Sequence, residues 1–435
     1  MTETLGEDQR TVEAARAGGG LRSVAIGLGV YGLSTYGYLG LAGQGLGHVV
    51  FAPLSVLWVL LNGIGIGLFL PFEQELGRRT AERRAVGQGN APVVRQSLIA
   101  VGGLLVVVAL VTAGGAGVLS SRLFGGNGEL VPLFVLALAG MAASYVVRGL
   151  LAGNGRFGPY GAQLAVDGVL RVAGAWVLFA FGSTDVVAYG AILVVAPVLA
   201  VLLTTSRPST LVQAGPPQAA RVAAMALGTL IVASLLSQAL ANAGTIVVQL
   251  LAAPTETGVT SDFLGALVIA RVPLFLFAAV QAVLLPGLAG AIGAGDVATF
   301  RHRVELVGAA TVTLGVLGTI AVWLLGAPLV PTVFGPGFSI DRDVITLIAA
   351  SGGAFMIALA AAQALLALGA ERVVLISWAI GLGTLVAACL WQGPLAARAA
   401  WAMLDGAVAA MVVMVAALVL AQRRWVRSAT GGGDG

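Results

Sequence analysis

The sequence predicts an all-α polytopic membrane protein with twelve transmembrane helices in two parallel six-helix repeats. Three observations lead to this prediction: the composition, the number of long apolar stretches, and landmarks that recur in the two halves. Hydrophobic residues make up 58% of the 435 residues, charged residues only 10%, and the mean hydropathy is +0.99. A soluble chain of this length needs a charged surface that this composition does not supply, so most of it is expected to face lipid.

Twelve apolar stretches are long enough to cross a bilayer as helices, which takes about 20 residues each. They lie at 21–42, 47–70, 94–118, 130–151, 159–182, 186–205, 223–252, 262–287, 304–330, 344–368, 373–391 and 396–421. Glycine and alanine are frequent in them, as expected where helices pack closely in lipid. The polar residues 1–20 do not resemble a cleavable signal, so the first stretch is expected to remain a permanent span.

The arginines predict the orientation of these spans. All 23 basic residues are arginine. With the N-terminus inside, 18 of them fall in inside segments, 3 in outside loops, and Arg171 and Arg271 within spans. Cytoplasmic loops carry the excess of positive charge in membrane proteins, so both termini are predicted to be cytoplasmic. This topology also accounts for the high isoelectric point without a nucleic-acid partner.

Three landmarks recur in the two halves at offsets of 210 to 215 residues. They are Pro71 and Pro286, the segments "SRLFGGNG" (121–128) and "PTVFGPGF" (331–338), and Leu150 and Leu365. Since six spans is an even number, both halves enter the membrane from the same face, as in transporters with parallel repeats. The predicted domains are a cytoplasmic tail (1–20), an N-lobe (21–205), a cytoplasmic linker (206–222), a C-lobe (223–422) and a second tail (423–435).

Ionisable residues inside spans are the first candidates for function. Asp167 and Arg171 lie four residues apart in the fifth span, on one helical face, with the acid first. We expect them to neutralise each other, either as a structural ion pair or as a pair that opens during transport. Since each would be buried, replacing one is expected to cost more than replacing both.

Arg271, in the eighth span, has no acidic residue three or four positions away. Its partner must come from another helix, from water in a cavity, or from an anionic substrate. Asp405 in the twelfth span is a conceivable structural partner. The alternative is a substrate-facing cation, for which arginine is suited because its planar fork binds two oxygens of a phosphate at once.

The remaining polar residues indicate a cavity and exclude several chemistries. Asn62, Gln249 and Gln281 are candidates for lining it, although such side chains usually bond between helices. The charged loop 72–89 is predicted to be solvated at the inner face. The chain lacks the lysine of a phosphate-binding Walker loop and any cysteine or histidine cluster that suits a metal. We therefore expect neither an enzyme nor a cofactor.

The span count, the proline closing the second span of each half and the "LFG" and "VFG" segments resemble the multidrug/oligosaccharidyl-lipid/polysaccharide exporter superfamily. The segment "RGLLAGNGRFGPYGAQLAVDGVLR" (148–171) is similar to actinobacterial polysaccharide exporters and O-antigen flippases. The resemblance implies a V-shaped, two-lobed transporter with alternating access. In the flippase branch, the cargo is a polyprenyl-diphosphate-linked glycan, and Arg271 falls where that branch places cavity cations.

The function predicted from this resemblance is a flippase for a lipid-linked oligosaccharide in the bacterial cytoplasmic membrane. Its expected partners are that glycan lipid, membrane lipids, and glycosyltransferases or a polymerase of the same pathway. The seventh span has no acidic residue, unlike the drug-extrusion branch. Three alternatives remain open: a cation-coupled multidrug exporter that depends on Asp167 or Asp405, a non-transporting membrane scaffold, and a major-facilitator carrier.

Overall fold

A computed structural model describes residues 2–205, 210–217, 221–253, 255–256, 258–274, 277 and 296–430. Every regular element in these ranges is a helix. The helices are α1 (Thr2–Val50), α2 (Ala52–Ala85), α3 (Ala91–Gly114), α4 (Leu130–Gly153), α5 (Phe157–Ala180), α6 (Val186–Thr204), α7 (Arg221–Leu251), α8 (Val259–Ala270), α9 (Val297–Phe334), α10 (Arg342–Ala367), α11 (Glu371–Ala388) and α12 (Leu395–Thr430).

These helices confirm the all-α membrane fold predicted from the sequence. Within the described ranges, eleven of them are long and apolar enough to cross a membrane, and each coincides with one predicted span. The eighth predicted span, 262–287, begins as the shorter apolar helix α8, and its residues 275, 276 and 278–287, with Gln281 and Pro286, lie outside the described residues.

Two helices are interrupted by irregular turns. In α1 the regular helical conformation is broken at Gly47, where φ is 73° and ψ is 163°. In α2 the residues Leu61–Gly65 form a π-helical turn between two α-helical segments. A second π-helical turn, Leu119–Leu123, follows α3.

The chain divides into two compact units. Unit 1 comprises residues 1–45, 68–121 and 126–227, and unit 2 comprises residues 46–67, 122–125 and 228–435. The units differ from the predicted lobes mainly in the segment 46–67, the first part of the predicted second span. The Phe51 ring explains this placement, since it lies 6.0 Å from the Phe334 ring and 5.7 Å from the Phe338 ring, both of unit 2.

Each unit contains the same pattern of neighbouring helices. In unit 1, α4 packs against α3, α5 and α6, and α5 packs against α6. In unit 2, α10 packs against α9, α11 and α12, and α11 packs against α12. Each of these four pairs of unit 2 is a pair of unit 1 moved six helices along the chain, as an internal repeat requires.

The landmarks of the repeat have the same local structure in both halves. Phe124 and Phe334 are fully buried, and each precedes a glycine with positive φ. The helices α4 and α10 end in the same way, because Arg156 N bonds to Leu151 O and Ala370 N bonds to Leu365 O around the left-handed Gly155 and Gly369. These bonds make Leu151, rather than the predicted Leu150, the counterpart of Leu365, at an offset of 214.

Close helix packing depends on glycine at the crossing of α11 and α12. A Cβ atom added to Gly381 would lie 2.7 Å from Gly406 O and 2.8 Å from Ala410 Cβ. Backbone atoms cannot move aside as a flexible side chain can, so this crossing admits only glycine at that position.

We predict that Gly381→Val lowers the free energy of unfolding by about 1–3 kcal/mol, because the added side chain forces the two helices apart. Thermal unfolding of the detergent-solubilised protein measures the effect. Gly383→Val is the control, since a Cβ atom at Gly383 would meet nothing within 4 Å. Equal stability of the two variants would show that the crossing tolerates a side chain.

Candidate functional site

The predicted pair of Asp167 and Arg171 is a buried two-point ion pair in unit 1. Arg171 Nε lies 2.8 Å from Asp167 Oδ1, and Arg171 Nη2 lies 2.9 Å from Asp167 Oδ2. Asp167 is 4% exposed and Arg171 is 8% exposed. The guanidinium carbon also lies 5.2 Å from the centre of the Tyr31 ring on α1, so an aromatic side chain packs against the ion pair.

A second buried ion pair lies in the same unit. Arg148 Nε on α4 lies 2.9 Å from Glu73 Oε2 on α2, and both side chains are about 10% exposed. The hydroxyl of Tyr160 donates to Glu73 Oε1 at 2.7 Å. The Tyr145 ring lies 4.1 Å from the guanidinium carbon of Arg148. Both carboxylate oxygens of Glu73 therefore accept hydrogen bonds.

Sequence reasoning missed this second pair and placed its members in water. Arg148 was counted with the inside loops, and Glu73 was assigned to the solvated loop 72–89. That segment is instead helical to Ala85, and Glu73, Arg79 and Arg83 in it are buried. The sequence feature that could have indicated the burial of Glu73 is its position directly after the apolar stretch "LFLPF" (68–72). The helix continues through this stretch and does not end there.

The four charges of these two pairs sum to zero, and they link four helices. Charges removed from water must be matched and hydrogen-bonded, and removing one partner leaves the other buried and uncompensated. The pairs and their tyrosines join α1, α2, α4 and α5.

In unit 2, the Arg271 guanidinium is held by neutral acceptors on α7. Arg271 Nη1 donates to Asn242 Oδ1 at 3.0 Å, and Nη2 donates to the carbonyl oxygen of Ala241. Asn242 Nδ2 in turn donates to Gln238 O at 2.8 Å. Arg271 itself ends α8, two residues before Pro273, where the helix is free to change direction.

A small cavity of unit 2 lies beside the guanidinium. It has a volume of about 20 Å³ and is lined by Arg271, Ser351, Phe355, Met403 and Ala407, among others. A volume of this size holds about one water molecule. The void therefore has room for a water molecule beside the charge but does not accommodate a diphosphate.

The other predicted lining residues are only partly brought together. The π-helical turn of α2 brings Gly63, next to Asn62, close to Asn242, since a Cβ at Gly63 would lie 3.8 Å from Asn242 Cβ. Asn62 Nδ2 itself donates to Trp58 O at 2.8 Å within its own helix. Gln249 lies near the end of α7, where Nε2 donates to Arg122 O at 3.3 Å. Gln281 is outside the described residues.

Asp405 is exposed on α12 and forms no ion pair with any residue that the structure describes. It follows Leu395, the first residue of α12, by ten positions, which places it about 15 Å along a span that crosses a core of ~30 Å. An exposed carboxylate at that depth costs roughly 2.5–3.5 kcal/mol against lipid. Such groups usually face protein or water instead.

Comparison with known sequences finds no matching family model. The chain is similar to two mycobacterial proteins. It is 26% identical over 402 residues to Uncharacterized protein Rv1510 of Mycobacterium tuberculosis (strain ATCC 25618 / H37Rv), covering 88% of each chain. It is 25% identical over 382 residues to Uncharacterized protein Mb3654 of Mycobacterium bovis (strain ATCC BAA-935 / AF2122/97), covering 84% of each chain.

Solved structures with a similar fold are transporters. An inward-facing multidrug resistance MATE family transporter of the MOP superfamily matches with a TM-score of 0.67 at 17% identity, over 94% of this chain and 96% of that one. An outward-facing one matches with a TM-score of 0.63 at 17% identity, over 93% and 94%. The Vibrio cholerae MATE transporter VcmN in the bent form matches with a TM-score of 0.62 at 18% identity, over 96% and 99%.

The chain therefore has the two-lobed fold of the MATE transporters of the MOP superfamily, which is the superfamily that the sequence resembles. The likeness extends over nearly the whole length of both chains. It does not support the narrower resemblance to O-antigen flippases.

We predict that Asp167→Asn and Arg171→Gln each lower the free energy of unfolding by about 3–5 kcal/mol, because each leaves an uncompensated buried charge. The double variant is expected to be more stable than either single one. Thermal unfolding in detergent measures all three.

The exposed pair of Arg301 and Glu305 is the matched control, with the same i, i+4 spacing and side chains 74% and 58% exposed. Arg301→Gln is expected to cost about 0–1 kcal/mol. Strictly additive losses at Asp167 and Arg171 would contradict the interpretation of a coupled buried pair.

Proposed function

We propose that this chain is a membrane transporter that exports amphipathic organic compounds by alternating access. The observation that carries the proposal is the near full-length fold match to MATE transporters captured in inward-facing, outward-facing and bent conformations. Two of these structures are described as conformations of a multidrug resistance MATE family transporter. A fold that other members adopt in several conformations is suited to exposing a binding site to each side of the membrane in turn.

The flippase function expected from the sequence is the second candidate. That expectation depended on Arg271 as the cation that binds the diphosphate of the substrate. In unit 2 the guanidinium donates to Asn242 and to the Ala241 carbonyl, and the adjacent void of about 20 Å³ is too small for a diphosphate. What still favours this candidate is that Arg271 is a cation beside a void inside a span, a position where cations are costly and usually serve transport.

Asp405 is the residue to which we assign ion coupling. A carboxylate that is exposed halfway along a span can take up and release a proton or a metal cation without breaking a buried network. Asp167, in contrast, is held by two hydrogen bonds from Arg171 and is 4% exposed. We therefore assign Asp167 a structural role and expect transport to depend on Asp405.

Export is tested by reconstituting the purified protein into liposomes with an imposed proton or sodium gradient. The readout is gradient-driven movement of ethidium, a fluorescent organic cation. Asp405→Asn is expected to lower the gradient-driven rate at least tenfold, because the amide cannot exchange a proton or hold a cation. Asp405→Glu is expected to retain most of the rate.

Asp167→Asn/Arg171→Gln serves as the comparison for this experiment, since it removes a carboxylate of unit 1 while keeping the charge balance. It is expected to retain ethidium transport. Loss of transport in this double variant, together with normal transport in Asp405→Asn, would reverse the assignment of the coupling residue.

The two candidate functions are separated by a second assay in the same liposomes. A fluorescent polyprenyl-diphosphate oligosaccharide is incorporated, and its appearance in the opposite leaflet is followed by quenching from outside. We expect no acceleration by the wild-type protein. Acceleration that Arg271→Gln abolishes, without ethidium transport, would establish the flippase in place of the exporter.

A further inference from the structure

A large groove opens on unit 2 between α9 and α12. Its volume is about 760 Å³. Both helices pack against α10, which forms the floor of the groove through the small residues Ala360, Ala361 and Ala364. The walls are apolar and include Val312 on α9 and Val415 on α12. A volume in this range is typical of sites for small molecules rather than of ordinary surface roughness.

The two ends of the groove differ in chemistry. One end is apolar, and the other carries Arg301 and Glu305 from α9 and Arg423 from α12. Arg303 and Arg424 follow in sequence at the same ends of these helices, and both are exposed. The arginines outnumber the acidic side chain even though Arg301 Nε bonds to Glu305 at 2.7 Å. This end therefore attracts an anion.

The length of the groove fits one leaflet of a bilayer. Arg301 and Val312 are eleven residues apart on α9, which corresponds to about 16 Å of helix. That is close to half of the ~30 Å hydrocarbon core. The arginines lie at the start of α9 and at the end of α12, which are the ends predicted to face the cytoplasm.

An orphaned hydrogen-bond donor lies at the polar end. Gln422 lines the groove next to Arg423, and its Nε2 is buried without a hydrogen-bond partner among the described residues. Leaving a buried donor unsatisfied is costly, so such groups usually bond to a ligand or to water. A carbonyl or phosphate oxygen of a bound molecule would satisfy it.

We propose that this groove, called the α9–α12 groove, binds an anionic glycerophospholipid of the cytoplasmic leaflet. Its acyl chain lies along the alanines of α10, and its phosphate meets Arg423 and Arg301. The ester carbonyl region accepts from Gln422. The site is distinct from the void at Arg271, and the proposal does not depend on the transported substrate.

The test uses the delipidated full-length protein in detergent, with binding followed by native mass spectrometry. Three probes are compared: dioleoylphosphatidylglycerol, dioleoylphosphatidylcholine and glycerol 3-phosphate. The first is expected to bind in a defined stoichiometry, several-fold more tightly than the second. Glycerol 3-phosphate, which has the phosphate without acyl chains, is expected not to bind, which separates a lipid site from a phosphate site.

Two variants probe the two ends of the groove. Arg423→Gln is expected to weaken binding of phosphatidylglycerol about fivefold, as each arginine near anionic headgroups contributes modestly, and to leave phosphatidylcholine unchanged. Gly308→Leu is expected to weaken both lipids, because Gly308 lines the groove and a Cβ there would meet nothing within 4 Å. The leucine fills space without straining the helix.

Matched controls lie elsewhere on unit 2. Arg372→Gln removes an exposed arginine at the start of α11, which is predicted to face the same side of the membrane. Gly383→Leu adds the same side chain at an exposed position where a Cβ is equally unobstructed. Both control variants are expected to bind phosphatidylglycerol and phosphatidylcholine as tightly as the wild type does. Equal binding of the two lipids by the wild type, or no effect of Gly308→Leu, would overturn the proposal.

Discussion

The exclusion of water from the membrane is the constraint on which the structure of unit 1 depends. Two buried ion pairs lie there, and in each the opposite charges are at hydrogen-bond distance: Glu73 with Arg148 and Asp167 with Arg171. In water, these contacts would contribute little. In a low-dielectric interior, an unmatched member would be severely costly. Glu73, which is bonded to both Arg148 and Tyr160, therefore fixes which faces of α2, α4 and α5 meet.

In unit 2, the charge of Arg271 inside a span is stabilised by hydrogen bonds to uncharged groups. Arg271 is held by an amide and a backbone carbonyl of α7, with a void of about 20 Å³ beside it. The amide of Asn242 is itself oriented by its hydrogen bond to the Gln238 carbonyl oxygen, which directs Oδ1 towards the guanidinium. The two units thus share a pattern of helix neighbours, while Arg271 of unit 2 is bonded to uncharged groups and the buried charges of unit 1 form ion pairs.

Much of this fold is predictable from sequence because a bilayer imposes a length and a composition on every span. That constraint located eleven spans closely, and the i, i+4 geometry of one helix located the pair of Asp167 and Arg171. The partners of Arg271 and Arg148 were not predictable in the same way. Asn242 lies 29 residues from Arg271, and Glu73 lies 75 residues from Arg148, so both contacts depend on tertiary packing that no local pattern encodes. The oxygens that accept hydrogen bonds from these two guanidinium groups can be identified only when the packing of the helices is known.

The interruptions in the helices coincide with the points where the chain passes between the two units. The break at Gly47, the π-helical turn 61–65 and the π-helical turn 119–123 each lie within three residues of such a crossing. A turn of this kind redirects a helix at the expense of local backbone bonds and leaves the packed interiors on either side intact. A substitution in the interior of either unit can therefore alter the packing there without altering the turns through which the chain passes to the other unit.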